Sequence, residues 1–212
     1  MALGKAGGEG YGENGRRLPV PGEKAPTLAE IKGIIQECKK KKLRKHEMLI
    51  KVGWNLAVRL NELANLRIED FDFVEDVARI RKQYAKKANK DLLIVMNEPG
   101  FTFDLQDYIR EMRLEKEDYL FCHGDQRSKY SNRRIAYMIE HAGELGGFKR
   151  LRPHLLRHSR AKWLIKNGYD PRYVQKLLRH KNASTTINEY TRYNLEDLKD
   201  IGRRGQKANL DK

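Results

Sequence analysis

The apolar residues of this 212-residue chain recur at helical spacing along most of its length, and one region departs from that pattern. After Asp70 the segments VARIR (77–81) and LLIVM (92–96) are extended in character, and a polar, lysine-containing segment, 86–90, separates them. Two short apolar runs joined by a polar turn predict a β-hairpin. The chain is therefore predicted to be mainly α-helical with one small antiparallel β-sheet, the α+β class.

Helices are predicted on both sides of this hairpin. Pro26 and Thr27 open the first helix, and the next apolar stripe predicts a single helix from about residue 46 to residue 66. Later stripes predict six shorter helices, near 102–114, 131–144, 154–167, 171–179, 184–193 and 195–204. Residues 1–26 are rich in Gly and Pro and are predicted to form a flexible arm or linker.

The charge of the chain constrains its partners. Lys and Arg number 44 against 29 Asp and Glu, which gives a net charge of +15. Such an excess is typical of proteins that bind a polyanion, and a phosphate backbone is the commonest candidate. A membrane surface or an acidic protein would also fit this charge.

Several other classes of protein are not indicated. The two cysteines, Cys38 and Cys122, do not make a disulfide framework, and Cys122 with His123 is only half of a zinc ligand set. No run of about 18 apolar residues predicts a membrane span, and the N-terminus lacks the apolar core of a signal peptide. A soluble protein of the cytoplasm is the expectation.

The first candidate functional group is Arg59 with Glu62, which are three residues apart in a segment predicted to be helical. That spacing places both side chains on one helix face. A buried arginine needs a carboxylate partner or an anionic ligand. The pair is therefore either a structural salt bridge or part of an anion-binding site.

The second candidate group is His154 with Arg157, in the segment HLLRHS (154–159). Pro153 precedes them and suits the first position of a helix. A helix N-terminus attracts anions through its dipole and its free N–H groups. A His and an Arg on that turn predict a phosphate site, although a basic surface helix has the same pattern.

The third candidate group lies in VQKLLRHKNASTTINEY (174–190). A helix is predicted to end at His180, a polar turn follows, and Tyr190 comes soon after. Tyr190 alone would equally suit a packing role. The lysines of the 86–90 turn form a further basic group, and such turns are commonly only solvated.

The order and spacing of these groups resemble the catalytic domain of the tyrosine recombinase, or phage integrase, family, from about Thr27 to Tyr193. That family carries, in order, an Arg-x-x-Glu-Leu segment, a β-hairpin lysine, a His-x-x-Arg-His helix, and a Leu-Gly-His segment followed by a tyrosine. HLLRHS and VQKLLRHKNASTTINEY are the most specific matches. The resemblance implies the tyrosine recombinase catalytic-domain fold over residues 27–193.

The resemblance also implies cleavage of a DNA strand without a metal. Tyr190 would attack the phosphorus to give a 3′-phosphotyrosine and a free 5′-hydroxyl. Lys87 would protonate the leaving 5′-oxygen. Tyr193 is a second candidate for the nucleophile, and Lys86 and Lys90 are alternatives for the lysine. No cofactor is expected.

The other matching positions would manage the charge of the phosphate. By resemblance, Arg59 and Arg157 would bind its non-bridging oxygens. His154 would hold the phosphate and help to move the tyrosine proton, and His180 would hydrogen-bond the phosphate in the transition state. Glu62 would orient its neighbours rather than react.

The chain departs from the family pattern in three places. Arg179 stands where the family usually has Gly, directly before His180, and Ala57 stands where Gly is common. Residues 1–26 are too few for the N-terminal helical domain of many members, so a catalytic-domain fragment or an unusually small recombinase is expected. Residues 194–212 are expected either to dock on a neighbouring protomer or to form a frayed basic end.

The function implied by the resemblance is site-specific recombination of double-stranded DNA by a homotetramer on paired sites, in the cytoplasm and on the nucleoid. A type IB topoisomerase-like enzyme and a telomere resolvase share the chemistry and stay as alternatives, as does a non-catalytic DNA-binding relative. A metal-dependent nuclease fits least, because the sequence has no evident carboxylate cluster for Mg²⁺.

Overall fold

The computed structural model describes residues 24–85, 89–96, 98–124 and 127–179. Its helices are α1 (Leu28–Lys40), α2 (Arg44–Asn55), α3 (Leu60–Ala64), α4 (Phe101–Glu111), α5 (Asn132–Leu145), α6 (Pro153–Lys166) and α7 (Pro171–Leu178). Its strands are β1 (Phe71–Asp72), β2 (Val77–Ile80) and β3 (Leu92–Val95). The predicted α+β class with one small antiparallel sheet is confirmed. The predicted helices at 184–193 and 195–204 lie outside the described residues.

Helix α1 begins where the sequence predicted. The Thr27 hydroxyl accepts from the Glu30 N–H at 3.2 Å, and the Glu30 carboxylate accepts from the Thr27 N–H at 2.6 Å. This reciprocal arrangement is a capping box, which satisfies two N–H groups that the helix itself cannot. The helix buries Ile31, Ile34 and Cys38. Burial raises the pKa of the Cys38 thiol to about 11, so this cysteine is an inert core residue.

The single helix predicted over residues 46–66 is wrong. Helix α2 ends at Asn55, and α3 begins only at Leu60. Between them Ala57 has a φ of 47°, a left-handed conformation that an α-helix cannot contain. Leu56, Ala57 and Val58 are nonetheless all buried. The break is invisible to apolar spacing because a buried loop continues the apolar run on either side of it.

The sheet has the order β1-β2-β3 and is antiparallel throughout. The two predicted strands pair with Ala78 opposite Ile94, and both of these residues face the core. Strand β1 was not predicted, because two residues are too few to show an alternating pattern. The centre of the predicted hairpin turn, residues 86–88, lies outside the described residues.

Helix α2 is the centre of the helical layer, and α1, α4, α5 and α6 pack around it. Every residue from Glu47 to Trp54 is buried. The one buried carboxylate on this helix is that of Glu47, whose Oε1 forms ion pairs with Lys51 Nζ at 2.6 Å and with Arg44 Nη1 at 3.0 Å. A buried charge needs such partners. The segment that follows α2 therefore starts from a rigid, fully packed helix.

The contact between α1 and α5 gives a stability prediction. A Cβ added at Gly146 would lie 2.5 Å from Ile34 Cγ1 and 2.7 Å from Ile34 Cα. We expect Gly146→Ala to lower the free energy of unfolding by about 1–3 kcal/mol, because the two helices must move apart. The matched control is Gly33→Ala within α1, where a Cβ meets nothing within 4 Å. That change should raise the free energy of unfolding by about 0.5–1 kcal/mol, because Ala favours a helix interior over Gly.

Urea denaturation followed by circular dichroism measures both variants. An unchanged unfolding midpoint for Gly146→Ala would contradict the close approach of α1 to α5.

Candidate active site

The segment from Ala57 to Glu62 is the organising element of the site. Arg59 is the last residue before α3, and Glu62 lies on the first turn of that helix. The Glu62 carboxylate accepts from the Arg59 backbone N–H at 2.7 Å and from Arg59 Nη1 at 3.0 Å. The two residues thus pair as predicted. They do so across a helix start rather than along one face of a continuous helix.

The two partners in this pair differ in exposure. The Glu62 side chain is 0% exposed, whereas the Arg59 side chain is 31% exposed. The carboxylate is therefore sealed inside the protein, and part of the Arg59 side chain is exposed. An arginine held at one nitrogen by a buried carboxylate, with part of its side chain exposed, is pre-oriented for an external anion.

Arg157 reaches the same segment from a position 100 residues further along the chain. It lies on the second turn of α6, which begins with Pro153 as predicted. Arg157 is 2% exposed, and its Nη1 donates to the Ala57 carbonyl at 2.7 Å. Its Nη2 donates to the carbonyl of Leu178, the last residue of α7. This one guanidinium therefore connects the 57–62 segment, α6 and α7.

Arg179 is a third arginine of the site, and no role was predicted for it from the sequence. Its Nη2 donates to Glu62 Oε2 at 2.5 Å and to the Ala57 carbonyl at 3.3 Å. Burial lowers the pKa of Arg179 to about 10, while the charge of Glu62 raises it and that of Arg59 lowers it further. That pKa is still well above neutrality, so the side chain carries a charge. The signals in the sequence were its place next to His180 and its departure from the Gly that the family usually has there.

Helix α6 also carries a pair of histidines. His154 is exposed on the first turn, and its Nε2 lies 2.6 Å from Nε2 of His158 one turn later. At that distance one ring donates and the other accepts. His154 therefore stands at the exposed beginning of the helix that carries Arg157, as predicted, and His158 is a neighbour that the sequence analysis gave no role.

The other predicted site residues are not covered by the structure. Lys87, His180, Tyr190 and the alternatives Lys86 and Tyr193 lie outside the described residues. Lys90, the remaining alternative in the hairpin, is described and exposed. The structure therefore brings together Arg59, Glu62 and Arg157 and leaves the predicted nucleophile and hairpin lysine as predictions.

The charge of this arrangement suits an anion. Within the described ranges, three guanidinium groups and one carboxylate converge on the 57–62 segment, a local excess of positive charge. Fixed positive groups that need no reorganisation stabilise a developing negative charge most effectively. The arrangement is therefore chemically suited to an anion such as a phosphate diester.

The described part of the chain has neither an evident metal site nor a helix suited to a membrane. No group of three or more His, Cys, Asp or Glu side chains there could hold a metal ion. No helix there is long and apolar enough to cross a membrane. Cys122 is buried, and burial raises the pKa of its thiol, which disfavours the thiolate that a metal requires.

Comparison with known proteins defines the class. The model of the phage integrase family matches residues 26–196, and the chain belongs to that family. The tyrosine recombinase XerA of Pyrococcus furiosus is 32% identical over 95% of this chain and 69% of its own length. Transposase A of transposon Tn554 from Staphylococcus aureus is 26% identical over 89% of this chain and 55% of its own length.

The fold has the same relatives. A crystal structure of XerA recombinase matches with a TM-score of 0.74 and 27% identity, over 88% of this chain and 66% of that one. The site-specific recombinase XerH, bound to its difH substrate, matches with a TM-score of 0.66 and 23% identity, over 91% of this chain and 59% of that one. The tyrosine recombinase resemblance and the predicted fold are confirmed. The chain spans about two thirds of the length of the XerA proteins it matches.

Proposed function

We propose that this chain cuts and rejoins DNA strands as a site-specific recombinase, through a covalent 3′-phosphotyrosine intermediate and without ATP. One observation carries the proposal. Arg59 belongs to the 57–62 segment and is held there by the buried Glu62 carboxylate, and Arg157, which is far from it in sequence, donates to the Ala57 carbonyl of the same segment. Guanidinium groups fixed in this way fit the non-bridging oxygens of a phosphate diester.

The proposed reaction is two successive transfers of one phosphoryl group. The Tyr190 oxygen attacks the phosphorus, the bond to the 5′-oxygen breaks, and His154 helps to remove the tyrosine proton while Lys87 protonates the 5′-oxygen. In the second transfer a 5′-hydroxyl attacks the phosphorus and gives its proton to Lys87, and the bond to Tyr190 breaks as the tyrosine oxygen regains a proton with the help of His154. Each step replaces one phosphodiester by another, so the bond energy is kept and no nucleotide hydrolysis is needed.

Each arginine has a separate part in this reaction. Arg59 and Arg157 neutralise the charge that builds up on the non-bridging oxygens, and His180 donates a hydrogen bond to the same group. Glu62 keeps Arg59 in place through its two bonds to that residue. These roles need no metal, because the charge of the phosphorane is met by side chains alone.

Each segment of the chain has a part in the proposed function. Residues 27–193 form the catalytic domain, residues 1–26 a linker or arm, and residues 194–212 a tail that docks on a neighbouring protomer. The substrate is double-stranded DNA, for which the net charge of +15 is suited. Recombination joins two duplexes, which calls for four active sites and therefore a homotetramer on paired sites, on the nucleoid in the cytoplasm.

A covalent trapping assay tests the proposal. Nicked duplexes lose a short fragment after cleavage, so a covalent intermediate accumulates. They would be prepared from fragments of the source genome and incubated with the protein in EDTA. We expect a protein–DNA adduct that withstands boiling in detergent and disappears after protease treatment. An activity that EDTA abolishes would overturn the proposal in favour of a metal-dependent nuclease.

Further assays distinguish a recombinase from the related functions that share its chemistry. Relaxation of supercoiled plasmid that lacks paired sites would indicate a topoisomerase-like enzyme, and hairpin ends on linear products would indicate a telomere resolvase. Salt-dependent DNA binding with no adduct on any fragment would favour a non-catalytic DNA-binding protein. Exchange between two duplexes that carry the same site is the outcome expected of a recombinase.

A further inference from the structure

Arg179 occupies a backbone position that is unfavourable for an arginine. It ends α7 with φ 53° and ψ 41°, the left-handed conformation that helices commonly adopt directly after their last residue. Glycine takes this conformation without a steric penalty, whereas a residue with a Cβ does not. Arg113, Arg127 and Arg150 also have a positive φ, so the contacts of the Arg179 side chain, rather than its backbone alone, must carry any role.

The Arg179 side chain turns inward rather than towards solvent. It is 7% exposed and lies against the Glu62 carboxylate, which is 0% exposed. Its Nη1 donates to the carbonyl of Leu177 in its own helix at 3.1 Å, while its Nη2 reaches Glu62 and Ala57. The guanidinium thus fastens the end of α7 to the segment that carries Arg59.

The two oxygens of Glu62 are divided between two arginines. Oε1 accepts from Arg59 Nη1, and Oε2 accepts from Arg179 Nη2 as well as from the Arg59 backbone N–H. The charge of one buried carboxylate is therefore shared. Without Arg179, the Glu62 carboxylate would interact with Arg59 alone. It would then compete more strongly with any anion for the Arg59 guanidinium.

We propose that Arg179 is a positioning residue for strand cleavage: it shares the charge of Glu62 so that Arg59 stays available to the scissile phosphate, and it holds the end of α7 against the 57–62 segment. The inference rests on the proposed function.

Two substitutions separate the side chain from the backbone. Arg179→Gly removes the positive charge and also the steric strain of the left-handed backbone conformation. Arg179→Lys keeps both the charge and that strain. Lysine can replace one of the Nη bonds but not all of them, because an ammonium is a single point of donation. Arg172→Gln on the same helix is the matched control, since it removes an equal charge from a side chain that is 87% exposed.

Single-turnover cleavage of the nicked duplex at saturating DNA is the measurement, together with the dissociation constant for uncut DNA. For Arg179→Gly we expect the rate constant to fall roughly 10- to 100-fold, less than the loss of a group that contacts the phosphate itself. The dissociation constant should change by less than about threefold. Arg179→Lys should recover most of the rate, and Arg172→Gln should cut like the unmodified protein. A fully active Arg179→Gly, or an Arg179→Lys as slow as Arg179→Gly, would overturn the inference.

A second measurement does not depend on cleavage. Urea unfolding of Arg179→Gly, Glu62→Gln and the double variant forms a thermodynamic cycle. We expect coupling, with the double variant more stable than the sum of the two single effects, because removal of one partner leaves the other buried without its counter-charge. Additive effects would overturn the link between Arg179 and Glu62. If the unmodified protein forms no adduct, the proposed function fails, and this cycle still decides whether Arg179 shares the Glu62 charge.

Discussion

Tyr190→Phe should abolish the covalent protein–DNA adduct completely and leave DNA binding within about twofold of the unmodified protein. The reason is chemical: phenylalanine lacks the oxygen that would bond to phosphorus, and no other group at that position can replace it. The ring and its packing are kept, so the change is confined to the nucleophile. Tyr190 lies outside the described residues, and the expectation rests on the family match over residues 26–196.

The matched control for this prediction is Tyr193→Phe, three residues along the same motif. That variant should form the adduct at the rate of the unmodified protein in the same nicked-duplex assay. Mapping of the DNA-linked peptide by mass spectrometry identifies the attachment site directly. An adduct that survives Tyr190→Phe and disappears with Tyr193→Phe would assign the nucleophile to Tyr193 while leaving the class of reaction intact.

Arg157→Met should reduce the rate of strand cleavage by roughly 10²–10³-fold or more, because it removes a fixed positive group from the proposed phosphate site. It should also destabilise the fold. Leu178 loses the Arg157 donor, and Ala57 keeps only the longer 3.3 Å bond from Arg179. Withdrawing the partner of a buried polar group costs about 1–3 kcal/mol.

Arg160→Met is the control that separates these two effects. Arg160 is three residues further along α6 and equally buried, at 2% exposure. Its guanidinium lies 4.4 Å from the Trp54 ring centre and pairs with Glu98 at 2.6 Å. We expect Arg160→Met to lose stability and to retain cleavage when assayed well below its melting temperature. Equal losses of cleavage in the two variants would contradict a specific role for Arg157.

The sequence predicted those parts of the fold whose cause is local. The Thr27 capping box and the Pro153 helix start are recognisable within a few residues, and both are where they were expected. The break in the helix over 46–66 was missed, because the left-handed turn at Ala57 depends on residues that are distant in sequence. The Ala57 carbonyl accepts from Arg157 and Arg179, which come from α6 and from the end of α7.

The candidate site likewise has one contact that is local in sequence and another that only the fold creates. The pairing of Arg59 with Glu62 follows from their spacing, and it was predicted, although with the wrong local geometry. The sharing of Glu62 between Arg59 and Arg179 was not predictable, because those two arginines are far apart in the chain and only the folded protein brings them to one carboxylate. Arg179 could be identified from sequence as unusual, yet its inward direction is a property of packing.

The carbonyl of Ala57 has a consequence for how such a protein can diverge. Two arginines donate to the backbone carbonyl of Ala57, an oxygen that every amino acid possesses. The backbone conformation at position 57 therefore matters more than the type of residue there. Residues that accept a positive φ, such as Gly, Asn or Asp, would keep that oxygen in place, whereas a β-branched residue would oppose the bend. The substitutions tolerated at position 57 are therefore limited by the backbone conformation, and residue identity alone would underestimate that limit.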